Sequence, residues 1–222
     1  MPKLTVDEAL DAVVESFGGM RREGQHEMAN AVAKSMESGE HLLVQAGTGT
    51  GKSLGYLIPA ILRAASSDSA SKSRTVIATA TIALQRQLAT SDLPKAMAAL
   101  AGKLERAVNF AVLKGRNNYV CLDKFNRDSG RESDEEGLSL FEEGTSKLAR
   151  QAKRLRNWIL TTETGDKDDF GDEIDARIWR GVSVSGRECV GKNKCVYGEK
   201  CFAELARETA YQSEIVVTNH TM

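Results

Sequence analysis

The feature that most constrains this chain is a glycine-rich loop with the sequence Ala46-Gly47-Thr48-Gly49-Thr50-Gly51-Lys52-Ser53. It follows a short apolar segment at 41–45 and precedes a largely apolar helical pattern over 54–65. Its glycines allow backbone N–H groups to turn inward around phosphates, and the following helix adds the positive end of its dipole. The sequence therefore predicts a strand–loop–helix unit that binds a nucleoside triphosphate.

Individual side chains in and before this loop indicate how the ligand would be held. Lys52 would reach the β- and γ-phosphates, and the Ser53 hydroxyl would join the shell of a Mg²⁺ ion. Upstream, Arg22 and Gln25 have a spacing with which helicases recognise adenine, because the glutamine amide offers both a donor and an acceptor. A glutamine at the start of a helix can equally be a solvated or capping residue. We expect ATP with magnesium, with Lys52 and Ser53 as the catalytic residues of the site.

Hydrophobic periodicity predicts an α/β fold. Amphipathic helices are expected over 5–17, where Thr5 and Glu8 have the spacing of a capping box, and over 25–36. Short apolar runs predict strands at 41–45, 75–78, 108–113 and 215–218. Strands that alternate with helices favour a RecA-like, doubly wound and mostly parallel sheet.

The segment between the third and fourth predicted strands has a different character. It is too long for a loop and poor in strand patterns, so we predict an inserted, mainly helical subdomain at 114–206, between 1–113 and a return to the first domain at 207–222. One helix with a basic face is expected over 145–159, and the acidic stretches 134–136 and 166–175 are expected to be solvated loops.

The insert contains all four cysteines of the chain, which are Cys121, Cys189, Cys195 and Cys201. The last three are separated by five residues each, which is not the paired spacing of a zinc finger. Four thiolates could hold a zinc ion or an iron–sulfur cluster, and four unrelated buried cysteines are the remaining alternative. Nearby positive charge at Arg187, Lys192 and Lys194 would offset the charge of thiolates and could contact a phosphate backbone.

The bulk composition excludes some classes of protein. The net charge is −1, from 30 basic and 31 acidic side chains, so any contact with nucleic acid must use local patches. We see no apolar run long enough to cross a membrane, and we expect a cytoplasmic protein. A stretch at 6–9 reads Val-Asp-Glu-Ala, like the magnesium motif of helicases, but it precedes the loop and lies on a predicted helix, so we reject it.

In this order of segments, the sequence resembles the DinG family of bacterial helicases, relatives of the XPD-like superfamily 2 iron–sulfur helicases. The residues that carry the resemblance span most of the chain. They are 22–25, the loop with its continuation Leu54-Gly55-Tyr56, then 79–88, the segment 113–121 ending in the first cysteine, the three later cysteines, and 215–220.

The resemblance implies a RecA-like motor domain interrupted by a domain in which the four cysteines bind a [4Fe-4S] cluster. It also implies that Thr79 and Thr81 contact the backbone of single-stranded DNA. Such enzymes use ATP hydrolysis to move 5′ to 3′ on DNA and to separate its strands, so the resemblance implies single-stranded or forked DNA as the partner. They act in DNA repair, which would place the protein at the nucleoid.

The chain departs from the family pattern in two ways. Gln45 stands where the family often has an acidic residue, and the sequence stops at Met222, before the Asp-Glu-Ala-His motif and a second RecA-like domain. We therefore expect this segment alone to bind ATP weakly and to hydrolyse it poorly. Two other hypotheses stay open at this point: a non-motor, redox-sensing ATP-binding regulator, and a zinc-stabilised nucleotide-binding protein.

Overall fold

The computed structural model describes residues 4–47, 49–66, 74–130 and 147–220. Thr48, the stretch 134–136 and the first two residues of the predicted helix 145–159 lie outside the described residues. The chain forms two compact units, Met1–Leu113 with Gln212–His220, and Lys114–Tyr211 with Thr221–Met222. The second unit begins at the residue where the sequence predicts the insert to begin.

Two helices form the start of the first unit. Helix α1 (Val6–Ser16) opens with the predicted capping box, in which Thr5 and Glu8 each bind the other's backbone N–H. Helix α2 (Glu23–Ser38) ends at Gly39, whose φ of 74° is accessible to glycine at little cost. Both predicted helices are confirmed, and α2 begins two residues before the predicted start at Gln25.

The helix after the glycine-rich loop packs closely on α2. Helix α3 (Lys52–Ala65) buries a nearly continuous apolar face that includes Leu57 and Ile58. A β-carbon at Gly55 would lie 3.0 Å from the Met28 sulfur atom, so the glycine permits the close approach of the two helices. This packing places the start of α2 beside the loop.

A parallel three-stranded sheet completes the first unit in the described part of the chain. Strands β1 (Thr75–Thr79), β2 (Phe110–Val112) and β3 (Ile215–Asn219) lie in the order β1-β3-β2. Between β1 and β2 the chain forms α4 (Ile82–Gln87), a π-helical turn (Leu88–Asp92) and α5 (Leu93–Leu100). Three of the predicted strands are thereby confirmed, and they join the two ends of this unit.

The predicted strand at 41–45 is wrong: this segment has no strand structure. Its side chains are exposed, and Leu43 is 97% accessible. Strand β1 pairs with β3 on one side, and no described strand lies along its other side. A strand needs a hydrogen-bonded neighbour, so the apolar pattern of this segment is not sufficient to make it one.

The second unit is mainly helical, as predicted. Its helices are α6 (Leu122–Gly130), α7 (Lys147–Ile159), α8 (Ala176–Val182) and α9 (Phe202–Gln212). Helix α7 has the predicted basic character and buries Leu155 and Ile159 in a small core with Val120, Ile174 and Trp179. None of the described helices is long and apolar enough to cross a membrane.

Candidate functional sites

The glycine-rich loop is closed on itself by its own side chains. The Lys52 ammonium donates to the carbonyl of Ala46 at 3.0 Å and also to that of Gly47. The hydroxyl of Thr50 donates to the Gly47 carbonyl at 3.0 Å. The Lys52 ammonium is therefore already held at the loop, where it can exchange these backbone oxygens for the phosphate oxygens of a ligand.

Two residues from the start of α2 converge on the same loop. The Gln25 amide donates to the Gly51 carbonyl at 2.7 Å, and the Arg22 guanidinium donates to the carbonyl of Gly49. Gln25 is 6% exposed, so its position is fixed by packing as well as by this hydrogen bond. The structure thus brings together the phosphate loop and the two adenine-reading candidates that the sequence identified.

At Gly51 the loop lies close to the Gln25 side chain of α2. Its φ is +80°, and a β-carbon there would lie 2.2 Å from the Gln25 side-chain nitrogen. Gly102 has a similar φ of +77°, with no atom within 4 Å of the same position. An alanine at position 51 would therefore have both the strain of a positive φ and a steric clash, whereas an alanine at position 102 would have the strain alone.

We predict that Gly51→Ala lowers the free energy of unfolding by more than the roughly 1–2 kcal/mol expected for left-handed strain alone. Gly102→Ala is the matched control and should cost only the strain. Urea denaturation of the two variants measures the difference. Equal losses in both would show that the contact between Gln25 and the loop does not constrain position 51.

The hydroxyl of Ser53 lies in the first turn of α3. It forms a hydrogen bond with the side chain of Tyr56. Burial raises the pKa of Tyr56, and this hydrogen bond opposes part of the rise. This contact joins Ser53 to a residue one turn further along α3.

The two candidate DNA contacts differ in accessibility. Thr79 is buried, and its hydroxyl lies 3.0 Å from the Thr81 carbonyl and 3.2 Å from that of Thr218. Thr81 is exposed, and its hydroxyl accepts from the N–H of Leu84 at 3.2 Å. Of these two residues, Thr81 is the one that is exposed to solvent. Its geometry therefore fits a contact with a DNA phosphate better than that of Thr79.

The second unit brings the four cysteines to one pocket, whose lining includes Cys121, Cys189, Cys195 and Cys201. The backbone N–H of Cys121 donates to Val182 at 2.7 Å, which ties the first cysteine to the end of α8. The last three cysteines lie on loops that pack tightly, because a β-carbon at Gly198 would lie 2.1 Å from the Lys192 carbonyl. All four thiols are partly buried.

Charge around this pocket involves a pair of residues that the sequence analysis missed. Arg116 forms a largely buried ion pair with Glu204. Burial disfavours the charged form of Arg116 and so lowers its pKa. The hydrogen bond to Glu204 and the nearby Cys189 and Cys201 raise the pKa by more, so the net shift is upward. The only sequence signal was a basic residue five positions before Cys121. Burial also raises the pKa of the Cys121 thiol, so a positive ligand or neighbour is needed to hold it as thiolate.

The spacing of the cysteines bears on what could bind there. Among the described residues, no three or more His, Cys, Asp or Glu side chains come close enough to hold a single metal ion. A zinc ion requires its sulfur ligands about 2.3 Å from one point. In a four-iron cluster each thiolate binds a different iron, so the sulfur atoms stand further apart. The four thiols line one pocket, so this donor set fits a group that takes four thiolate ligands.

Comparison with known proteins identifies relatives of the whole segment. A family model described as DEAD/DEAH box helicase matches residues 22–119. The ATP-dependent helicase DinG of Mycobacterium tuberculosis (strain H37Rv) is 47% identical over 99% of this chain and 33% of its own length. The ATP-dependent DNA helicases YoaA and DinG of Escherichia coli K12 are 36% and 32% identical, each over 90% of this chain and 28% of their own lengths.

These similarities confirm the resemblance that the motifs indicated. The helicase match also implies a RecA-like phosphate-loop fold for the first unit, in agreement with its parallel sheet. The chain spans about a third of the length of the curated relatives it matches.

Proposed function

We propose that this chain, which is similar to the DinG helicases over 99% of its length, supplies the ATP-binding and iron–sulfur parts of an ATP-dependent DNA helicase. The observation that carries the proposal is the convergence of Arg22, Gln25 and Lys52 on one glycine-rich loop. The four-cysteine pocket in the second unit supports the same conclusion independently.

The first unit would bind ATP with magnesium. The backbone N–H groups of the loop would surround the phosphates, Lys52 would leave the carbonyls of Ala46 and Gly47 for the β- and γ-phosphates, and Ser53 would help hold Mg²⁺. When bound, Mg²⁺ neutralises phosphate charge. Gln25 would turn an edge of its amide to the adenine, with Arg22 beside it.

The second unit would bind a [4Fe-4S] cluster through Cys121, Cys189, Cys195 and Cys201. A cluster supplies a rigid crosslink between distant chain segments and a one-electron redox centre. The protein contributes the spacing of the four thiols, and Arg116 places positive charge near two of them. Because Cys121 lies far from the others in the sequence, ligation there would join α6 to the loops before α9.

A motor of this kind requires more of the sheet than the three strands described. Val76 on β1 is 59% exposed and Leu43 is 97% exposed, which is costly for apolar side chains in the middle of a motor domain. We propose that a further strand, carrying the Asp-Glu-Ala-His motif of the family, pairs with β1 and lies beside 41–45. In the complete enzyme, Thr81 would contact single-stranded DNA, and movement would be 5′ to 3′, as the DinG resemblance implies.

Sequencing the gene beyond the codon for Met222 tests this proposal cheaply, since the motif and a second RecA-like domain should follow. The protein expressed to the end of its reading frame should hydrolyse ATP at least about 10-fold faster with single-stranded DNA than without it. A frame that ends at Met222, or hydrolysis that DNA does not stimulate, would contradict the proposal. Either result would favour a non-motor, redox-sensing ATP-binding regulator.

A further inference from the structure

A network of polar side chains joins α1 to the first turn of α2. Asp7 and Asp11 lie one turn apart on α1, and the imidazole of His26 from α2 lies between them. Its Nδ1 is 2.6 Å from Asp7 Oδ1, and its Nε2 is 3.1 Å from Asp11 Oδ1. The second contact is an ion-pair distance without well-directed hydrogen-bond geometry. His26 is 1% exposed, whereas both carboxylates are about half exposed, so the histidine is the buried centre of the network.

The same network also includes Arg21, which precedes the adenine-reading candidates Arg22 and Gln25. Arg21 Nη1 lies 2.8 Å from Asp11 Oδ2. Asp11 thus contacts both Arg21 and His26, which are the residues immediately before and after the segment 22–25. Asn30, one turn further along α2, donates to Asp7 Oδ1 at 3.0 Å and helps to fix that carboxylate.

We propose that Asp11 and His26 are positioning residues for nucleotide-base recognition, holding the segment 22–25 in the orientation that places Gln25 against the phosphate loop. This inference rests on the proposed ATP site. Successive side chains on a helix diverge by about 100°, so His26 can face α1 while Gln25 faces the loop. A rotation of this first turn would break the contacts of both residues together.

The chemistry of the network suits this role. Hydrogen bonds that a carboxylate accepts are shorter and stronger than those between neutral groups, and they fix orientation when the donor is buried. Asp7 belongs to the Asp-Glu-Ala stretch rejected as a magnesium motif, and here its carboxylate binds His26 and Asn30 instead. Through Asp11, α1 contacts the residues at both ends of the base-reading segment.

If Asp11 and His26 position the base-reading segment, replacing them should weaken ATP binding more than the binding of a ligand without a base. A purely structural link between the helices would weaken both to the same extent. Inorganic tripolyphosphate has the phosphates of ATP without a base, so it tests the loop alone. In Asp11→Asn and His26→Gln, we expect ATP affinity to fall about 10-fold and the preference for ATP over GTP to shrink, with tripolyphosphate affinity within about twofold of wild type. Isothermal titration calorimetry with Mg²⁺ gives all three affinities.

Glu15→Gln is the matched control, because Glu15 is an exposed carboxylate one turn beyond Asp11 on the same helix. It should leave all three affinities unchanged. Equal weakening of ATP and tripolyphosphate in both variants, or an unchanged ATP-to-GTP ratio in both, would overturn the positioning role. If instead the wild-type protein binds ATP no better than Lys52→Ala does, the proposed ATP site itself fails, and that outcome is distinct from the other two.

Discussion

Replacing Lys52 by alanine is expected to weaken MgATP binding at least about 100-fold, because the variant loses the ammonium group proposed to bridge the loop and the phosphates. The ammonium is already bound within the loop, to the carbonyls of Ala46 and Gly47. Calorimetric titration of the purified chain with ATP and Mg²⁺ measures the loss.

Lys34→Ala is a suitable control for this experiment, since Lys34 is an exposed lysine on α2, away from the loop. Its affinity for MgATP should equal that of the wild type. If the affinity of Lys52→Ala also stayed unchanged, the loop would not be the nucleotide site.

The second large effect is expected at the four-cysteine pocket. Cys195→Ser should remove most of the bound iron and the visible absorption of the cluster, because three thiolates do not hold a four-iron cluster securely and a serine hydroxyl is a poorer ligand. MgATP affinity should not change, since the two sites are built from different units. Iron analysis and the visible spectrum after anaerobic purification measure the loss.

Val196→Ser is the control for the cysteine variant, because it makes a similar change at the adjacent position, where the side chain is 87% exposed. It should retain iron at the wild-type level. Full iron content in Cys195→Ser would show that Cys195 is not a ligand.

The helices and most strands could be predicted because their causes are local. The capping box of α1, the glycine that ends α2 and the apolar face of α3 are all determined by residues a few positions apart. The segment 41–45 has an apolar pattern as strong as those of the true strands, yet it remains exposed. Strand formation depends on a partner that the pattern cannot supply.

The same distinction applies to the candidate sites: residues in a local motif could be predicted, and long-range contacts could not. The loop and the spacing of Arg22 and Gln25 follow a motif, so the sequence indicated them and the structure brings them together. The contact of His26 with Asp11, and that of Arg116 with Glu204, join residues that have no motif in common. Long-range pairs of this kind depend on how the helices pack, and no periodic pattern in the sequence predicts them.

The metal content of the wild-type chain, purified without oxygen, tests most directly the claim that an ATP-binding unit is combined here with an iron–sulfur unit. We predict about four iron atoms per chain, with matching sulfide and a broad absorption in the visible range that fades on reduction. One zinc ion per chain and no iron would contradict it, and so would a chain that folds, binds MgATP and carries no metal.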